Sequence, residues 1–438
     1  MDKRILQQAI LAGREKFMNE EIRPRDFHFS FMKGKATVIT GARRSGKTSM
    51  LRGFARGLVR DGLDIKRICY LHLFDDMFAE EAVTVSQIVD AYFSMYPELY
   101  HDSNVYFILD EIEMLDSWGA GISGLLDSYP VKVLITGSSG KMLSHDIGTE
   151  LRGRCLEYSF YPLSFKEFME FNEADLDLAE PVLSKKAEAE VQKLYDLFLE
   201  RGSFPEVAVI NDPEIRRKVL SSYFDAMYSR DIMERYEVGK GISLRVFMRR
   251  MFRTSGQPLM IGKLENTMKS LGYPLSRPTI QDYLDMMMNA AIISEVPIYG
   301  TEKKAEYFPK KYYAVDHAFS AIFTPYSAMT GVRAEHAVHA KLLRLGKEIF
   351  YYRSKDDYET DFLVADEDLV PLLLVQVTDD FEISREREIR GLLATMKELQ
   401  MNEGYILSRD SYEDLSIDGC TIFVRPVYEF LLSDVLKM

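Results

Sequence analysis

A chain of 438 residues has room for about three domains. Its 47% hydrophobic and 28% charged residues exclude a disordered, collagen-like or low-complexity polymer, and 55 Lys+Arg against 68 Asp+Glu leave a net charge of −13, which excludes a uniformly basic nucleic-acid coat but not a local basic groove. The three cysteines, Cys69, Cys155 and Cys420, form no CxxC pair, which excludes a disulfide framework or cysteine-built zinc site and fits a reducing compartment.

The opening stretch MDKRILQQAILAGREKF breaks its apolar residues with charges at helical spacing, so it reads as an amphipathic helix and not as a signal peptide. Four short apolar runs follow: Ala36 to Thr40, Ile68 to Leu73, Val105 to Leu109 and Val131 to Thr136. They alternate with amphipathic stretches, the pattern of parallel strands linked by crossover helices. The expected fold class is therefore α/β, with a parallel sheet in residues 1–166. Residues 167–241, dense in Glu, Lys, Leu and Tyr at helical spacing, are expected to form a helical lid on that core. Residues 242–330 run as three helices followed by SEVPIYG and EYFPKKYYAVD, like the arms of a hairpin, which is a winged-helix order. Residues 331–438 open with a helix, continue through EIFYYRS, TDFLVAD and LVPLLLVQV, and close with a charged helix and two more short strands. The apolar runs are strand-sized and far short of a bilayer span, so no membrane partner and a cytoplasmic location are expected.

The strongest chemical signal is a GxxxxGKT loop, Gly41-Ala42-Arg43-Arg44-Ser45-Gly46-Lys47-Thr48, with Ser49 following, placed between an apolar strand and a helix. Glycines let backbone N–H groups turn towards phosphate oxygens, and the helix N-terminus adds partial positive charge. Lys47 is expected at the β/γ-phosphates and the Thr48 hydroxyl on Mg²⁺. The strand Val105 to Leu109 runs into Asp110 and Glu111. Asp110 is expected to hold Mg²⁺ opposite Thr48, and Glu111 to polarise an attacking water as general base. The strand Val131 to Thr136 ends in Thr136-Gly137-Ser138-Ser139, where a hydroxyl, Ser138 first, either meets the γ-phosphate or its water or simply caps the strand. Arg152 and Arg154 follow; Arg154 reads as an arginine finger, in cis or across a subunit interface, or as a surface ion pair.

GARRSGKT, VYFILDEIEML, VLITGSSGKML, LRGRCLEYSFYPLSFKEF and RGSFPEV, in that order, resemble prokaryotic AAA-superfamily P-loop ATPases, the archaeal and bacterial ATP-binding proteins with a C-terminal winged helix and a nuclease-like domain. The first two motifs are common to such NTPases; the later ones are more specific. The resemblance implies ATP and Mg²⁺ as ligands, hydrolysis as the activity, and Lys47, Thr48, Asp110 and Glu111 as working residues. It supplies no biological role. Adenine over guanine rests on this resemblance, since no NKxD-type segment is present.

In the winged-helix segment, the third helix carries two Asp and no Lys or Arg within TIQDYLDMMMNAAII. DNA phosphates would repel it, so protein packing is favoured over a groove contact. The last segment resembles restriction-endonuclease-like folds, in which a helix Glu, a strand Asp and a Glu/Asp-x-Lys hold a metal. Glu335 and Asp361 occupy the first two places, but Gln376 and Thr378 stand where the second carboxylate and the Lys belong. An inactive site follows, with Lys355 the nearest replacement lysine by sequence. The leading expectation is a Mg²⁺-dependent ATPase whose nucleotide state moves its C-terminal modules. An ATP-dependent nuclease or nucleic-acid-binding ATPase, and a nucleotide-dependent signalling switch, stay open as alternatives. ATP and an unidentified protein are the expected partners, nucleic acid is not favoured, and a finger in trans would require a homo-oligomer.

Overall fold

Alternate residues of the four apolar strands bury on opposite faces of one sheet. The computed structural model describes residues 2–74, 78, 83–137, 150–151, 153–174, 184–236, 238–239, 241–300, 308–323 and 330–433. Contacts divide the chain into two units, Met1–Tyr161 and Pro162–Met438.

In the first unit, β1 (Ala36–Thr40), β2 (Ile68–His72), β3 (Tyr106–Asp110), β4 (Lys132–Thr136) and β5 (Cys155–Ser159) form a parallel sheet in the order β2-β3-β4-β1-β5. Val38, Leu71, Phe107, Leu109, Val133 and Ile135 pack with α1 (Lys3–Asn19), α3 (Val85–Met95) and α4 (Trp118–Ser128). Ile39, Tyr70, Ile108 and Leu134 pack on the other face with Met50, Leu51 and Ala55 of α2 (Lys47–Arg60). Both faces are covered, which is why these strands read as unbroken apolar runs and not as polar-apolar alternations. Truncating a fully buried member such as Leu134 to Ala removes about 2–5 kcal/mol. β5 is absent from the sequence reading. It is an edge strand whose CLEYS residues are half-buried or exposed, so it lacks the apolar run.

Among the described residues, the second unit holds two sheets. β6 (Pro258–Leu259), β7 (Ile293–Val296) and β8 (Lys310–Ala314) form an antiparallel sheet in the order β6-β8-β7. It is interleaved with α8 (Gly241–Arg253), α9 (Ile261–Ser270) and α10 (Arg277–Asn289). The expected hairpin arms do pair, Val296 opposite Lys311 and Ile293 opposite Ala314. The larger sheet has the order β13-β14-β12-β11-β10-β9, from β9 (Glu348–Arg353), β10 (Glu359–Ala365), β11 (Pro371–Val377), β12 (Glu403–Ser408), β13 (Glu413–Ile417) and β14 (Cys420–Pro426). Three strands therefore follow the charged helix α12 (Phe381–Leu399), not two, and α13 (Val427–Leu432) follows them.

The helices of residues 165–201 share their core with the C-terminal sheet. Phe168 of α5 (Phe165–Phe171) and Val191 and Tyr195 of α6 (Lys185–Arg201) cluster with Val338, Phe362 and Tyr428. The ring of Tyr195 lies 6.3 Å from that of Tyr428, whose hydroxyl reaches Glu188 at 3.3 Å. The sequence reading grouped 167–241 with the ATPase core; the contacts place its helices in the second unit. α7 (Pro213–Ala226) instead contributes Leu220, Tyr223 and Phe224 to a core with α8, α9 and α10.

Candidate functional site

The GxxxxGKT loop leaves the C-terminal end of β1 and enters α2. A Cβ on Gly41 would sit 2.1 Å from the Phe160 carbonyl oxygen, so only glycine fits this close approach. Gly46, the residue before α2, has φ +100, and Arg44 has φ +68. These left-handed residues curl the backbone into a phosphate-sized turn. The Lys47 ammonium donates to the carbonyls of Gly41 at 2.8 Å and Ala42 at 3.1 Å, closing the loop on itself. Ser45 is buried, and its hydroxyl has no hydrogen-bond partner. Ser49 faces a cavity of about 340 Å³ beside α2, which Arg25, Phe27 and Gly53 also line. Arg43 and Arg44 are half-buried and exposed respectively.

Arg25 was missed by sequence reasoning. Its guanidinium donates to the carbonyls of Ser45 at 2.7 Å and Tyr161 at 2.9 Å and stacks 4.5 Å from the Phe160 ring centre. A lone arginine upstream of the first strand carries no motif, so only the folded chain reveals this clamp.

Asp110 ends β3 and is fully buried. Burial, followed by the neighbouring Glu111 charge, raises its pKa; hydrogen bonds from Thr136 and Thr48 and the nearby His72 oppose that rise. Thr136, at the end of β4, donates to Asp110 Oδ1 at 2.5 Å and accepts from the Glu111 backbone N–H at 3.2 Å. Asp110 Oδ2 takes no hydrogen bond, and His72 Nε2 lies 3.7 Å away. Glu111 is held in the left-handed region, φ +60 and ψ +52. For a non-glycine residue this conformation costs about 1–3 kcal/mol and persists where surrounding structure enforces it. Sequence reasoning thus brought Lys47, Thr48, Asp110 and Glu111 to one end of one sheet, and missed Thr136's bridge to the acid pair and His72. Ser138, Ser139 and Arg152 lie outside the described residues.

Arg154 sits elsewhere. Its carbonyl accepts from the Ala36 N–H at 3.0 Å, at the N-terminal edge of β1 and β5, whereas the phosphate loop leaves the opposite edge. Five residues at ~3.3 Å each separate the two edges by roughly 16 Å, beyond the reach of an arginine side chain. The reading in cis therefore fails. The guanidinium pairs with Asp127, both side chains being largely exposed.

In the second unit, Glu335 lies on α11 (Thr330–Leu343) and Asp361 on β10. They do meet, around the ammonium of Lys311, with Glu359 as a third carboxylate. Gln376 turns its amide oxygen to the Asp361 N–H at 3.2 Å, and the Thr378 hydroxyl is paired with Ser384 at 2.8 Å. Lys355 is not the replacement lysine: its backbone N–H is tied to Glu398 in an exposed loop. Lys311 and Glu359 were missed. Glu359 could have been found from its spacing, two residues before Asp361 on the same face of a strand.

The fold and loop of the first unit are those of a P-loop nucleotide-binding protein, an α/β parallel sheet with helices on both faces. Residues 33–169 match the family model described as an AAA domain, and the chain contains an AAA-type P-loop domain there. Residues 192–330 match a domain of unknown function (DUF8612). Two uncharacterized proteins are similar over nearly the whole chain. MJ1544 of Methanocaldococcus jannaschii is 28% identical over 96% of this chain and 92% of its own, and one from Haemophilus influenzae is 28% identical over 94% and 97%. Among solved structures, the Walker-type ATPase PABY2304 of Pyrococcus abyssi aligns with 16% identity over 74% of this chain and 95% of its own, at a TM-score of 0.40. Among the described residues, no helix is long and apolar enough to cross a membrane.

Proposed function

We propose that the chain is a Mg²⁺-dependent ATPase whose nucleotide cycle drives conformational change in its C-terminal modules. The observation that carries this reading is Asp110 Oδ2, a fully buried carboxylate oxygen without a hydrogen bond, on a residue that also receives the Thr48 hydroxyl. A buried polar atom without a hydrogen bond costs about 1–3 kcal/mol, and a hard cation on Asp110 and Thr48 would remove that cost. The residues present therefore fit Mg²⁺, which when bound would neutralise phosphate charge. Lys47 exchanges the Gly41 and Ala42 carbonyls for phosphate oxygens, and the loop N–H groups donate to the same anion. Glu111 orients and deprotonates the attacking water, aimed by its fixed left-handed backbone and by Thr136. A carboxylate held in that position supports turnover over a switch that only retains nucleotide.

For the C-terminal modules, the order α8-β6-α9-α10-β7-β8 supports the winged-helix reading. Asp282 and Asp285 are exposed on α10, which favours a protein surface over DNA as its partner. The test is phosphate release by the full chain with and without Mg²⁺, against Lys47→Ala. Loss of turnover in the variant, with unchanged circular dichroism, supports the reading; equal turnover in the two proteins overturns it.

A further inference from the structure

The side chain of Lys311 runs inward from β8 and is 2% exposed. Its ammonium lies 2.8 Å from Glu359 Oε1, 3.1 Å from Asp361 Oδ1 and 3.3 Å from Glu335 Oε1. One oxygen from each of three carboxylates thus converges on a single buried cation. Their neighbours fix that convergence. The Tyr313 hydroxyl donates to Glu335 Oε1 at 2.5 Å. The Val377 N–H holds Asp361 Oδ2 at 3.0 Å, which leaves Oδ1 for the ammonium.

An ammonium has three N–H donors; here it donates to Glu335 and Asp361 and is ion-paired with Glu359. Buried and enclosed by three carboxylates, Lys311 is not placed to act as the lysine of a nuclease. The charge balance is also uneven: with all groups ionised, one positive charge faces three negative ones. Burial, opposed by Lys311 and reinforced by the Asp361 charge, pushes the Glu335 carboxyl up to about 7. A divalent cation would offset one more charge than the ammonium does. Hard cations bind carboxylate oxygens at about 2.0–2.6 Å, so the three oxygens would need to close in by only a few tenths of an ångström to about 1 Å. Among the described residues, no group of three or more His, Cys, Asp or Glu is disposed to hold a metal as it stands.

We propose that the Lys311 ammonium fills the cation position of a latent divalent-metal site formed by Glu335, Glu359 and Asp361, so that a strand of the three-stranded sheet plugs the carboxylate pocket of the neighbouring fold. The pocket belongs to the second unit and does not depend on the nucleotide reading.

The experiment titrates the nucleotide-free full chain with Mn²⁺ and follows the free-ion signal by electron paramagnetic resonance. Wild type is compared with Lys311→Met and with Lys311→Met/Glu359→Gln, which removes one positive and one negative charge together and guards against misfolding. At least one variant is expected to bind one additional Mn²⁺ per chain, roughly tenfold or more tighter than wild type binds it. Adding Asp361→Asn should abolish that gain. Three results overturn the proposal: binding no tighter than wild type in both variants, a gain that survives Asp361→Asn, or failure of both variants to fold even in millimolar Mn²⁺.

Discussion

The hydroxyl of Thr136 donates to Asp110 Oδ1 at 2.5 Å and so couples the end of β4 to the end of β3. Because the same oxygen accepts from the Glu111 N–H, one side chain sets both the acid proposed to hold Mg²⁺ and the backbone of the proposed base. Thr136→Val keeps the shape and removes both bonds. Outer partners of this kind typically contribute about 10–100-fold, so kcat of phosphate release should fall by that amount with little change in nucleotide affinity. Thr136→Ser should restore much of it. A Val variant with normal kcat would show that the bridge is only structural.

Glu111→Gln should retain nucleotide and stop hydrolysing it. The amide keeps the side-chain shape and leaves Asp110 and Thr48 intact, while the general-base contribution, about 10²–10⁴-fold, is lost. The check is single-turnover hydrolysis alongside nucleotide binding. Turnover at the wild-type rate would assign the water to another residue.

The nucleotide-binding end of the first unit was legible because its signals are local. Apolar runs of five residues mark β1 to β4, and the loop residues Gly41 to Thr48 are contiguous. What was not legible depends on distant partners or weak patterns. β5 hides because CLEYS lies at an edge and carries no apolar run. The helix of Val191 and Tyr195 has an amphipathic pattern that says only that one face is buried; that Tyr428 covers it is a contact across more than two hundred residues. Lys311 is 50 positions from Asp361, and no spacing rule ties a lysine on one sheet to a carboxylate on another.

The three-carboxylate pocket should leave a signature in stability against pH. Glu335 titrates at about 7 in the folded chain and near 4.5 as a free side chain. The folded state therefore binds more protons in this window, and the stabilisation tied to protonated Glu335 is full below about pH 4.5 and lost as pH rises through about 7. Glu335→Gln mimics the protonated form. Its melting temperature, relative to wild type, should rise between pH 5 and pH 8, a window set by those two values. A flat difference across that range would place Glu335 at an ordinary carboxylate pKa.

Arg154 offers the sharpest test of assembly. Its position at the N-terminal edge of β1 and β5 removes it from its own phosphate loop, so a catalytic role requires a second copy of the chain to bring that edge to a neighbour's nucleotide. Its present partner, Asp127, is largely exposed, and such a surface pair contributes at most about 1 kcal/mol. Exchanging that pair for a neighbour's γ-phosphate is therefore inexpensive, and an arginine finger typically contributes about 10³–10⁵ in rate. Arg154→Ala should retain nucleotide binding and fold while losing turnover. Mixed with Lys47→Ala, which keeps Arg154 but lacks a working loop, it should regain activity, because a mixed interface joins an intact loop to an intact arginine. Absence of recovery in a mixture shown to co-assemble would rule out a finger in trans. Normal turnover by Arg154→Ala alone would leave this arginine only its ion pair with Asp127.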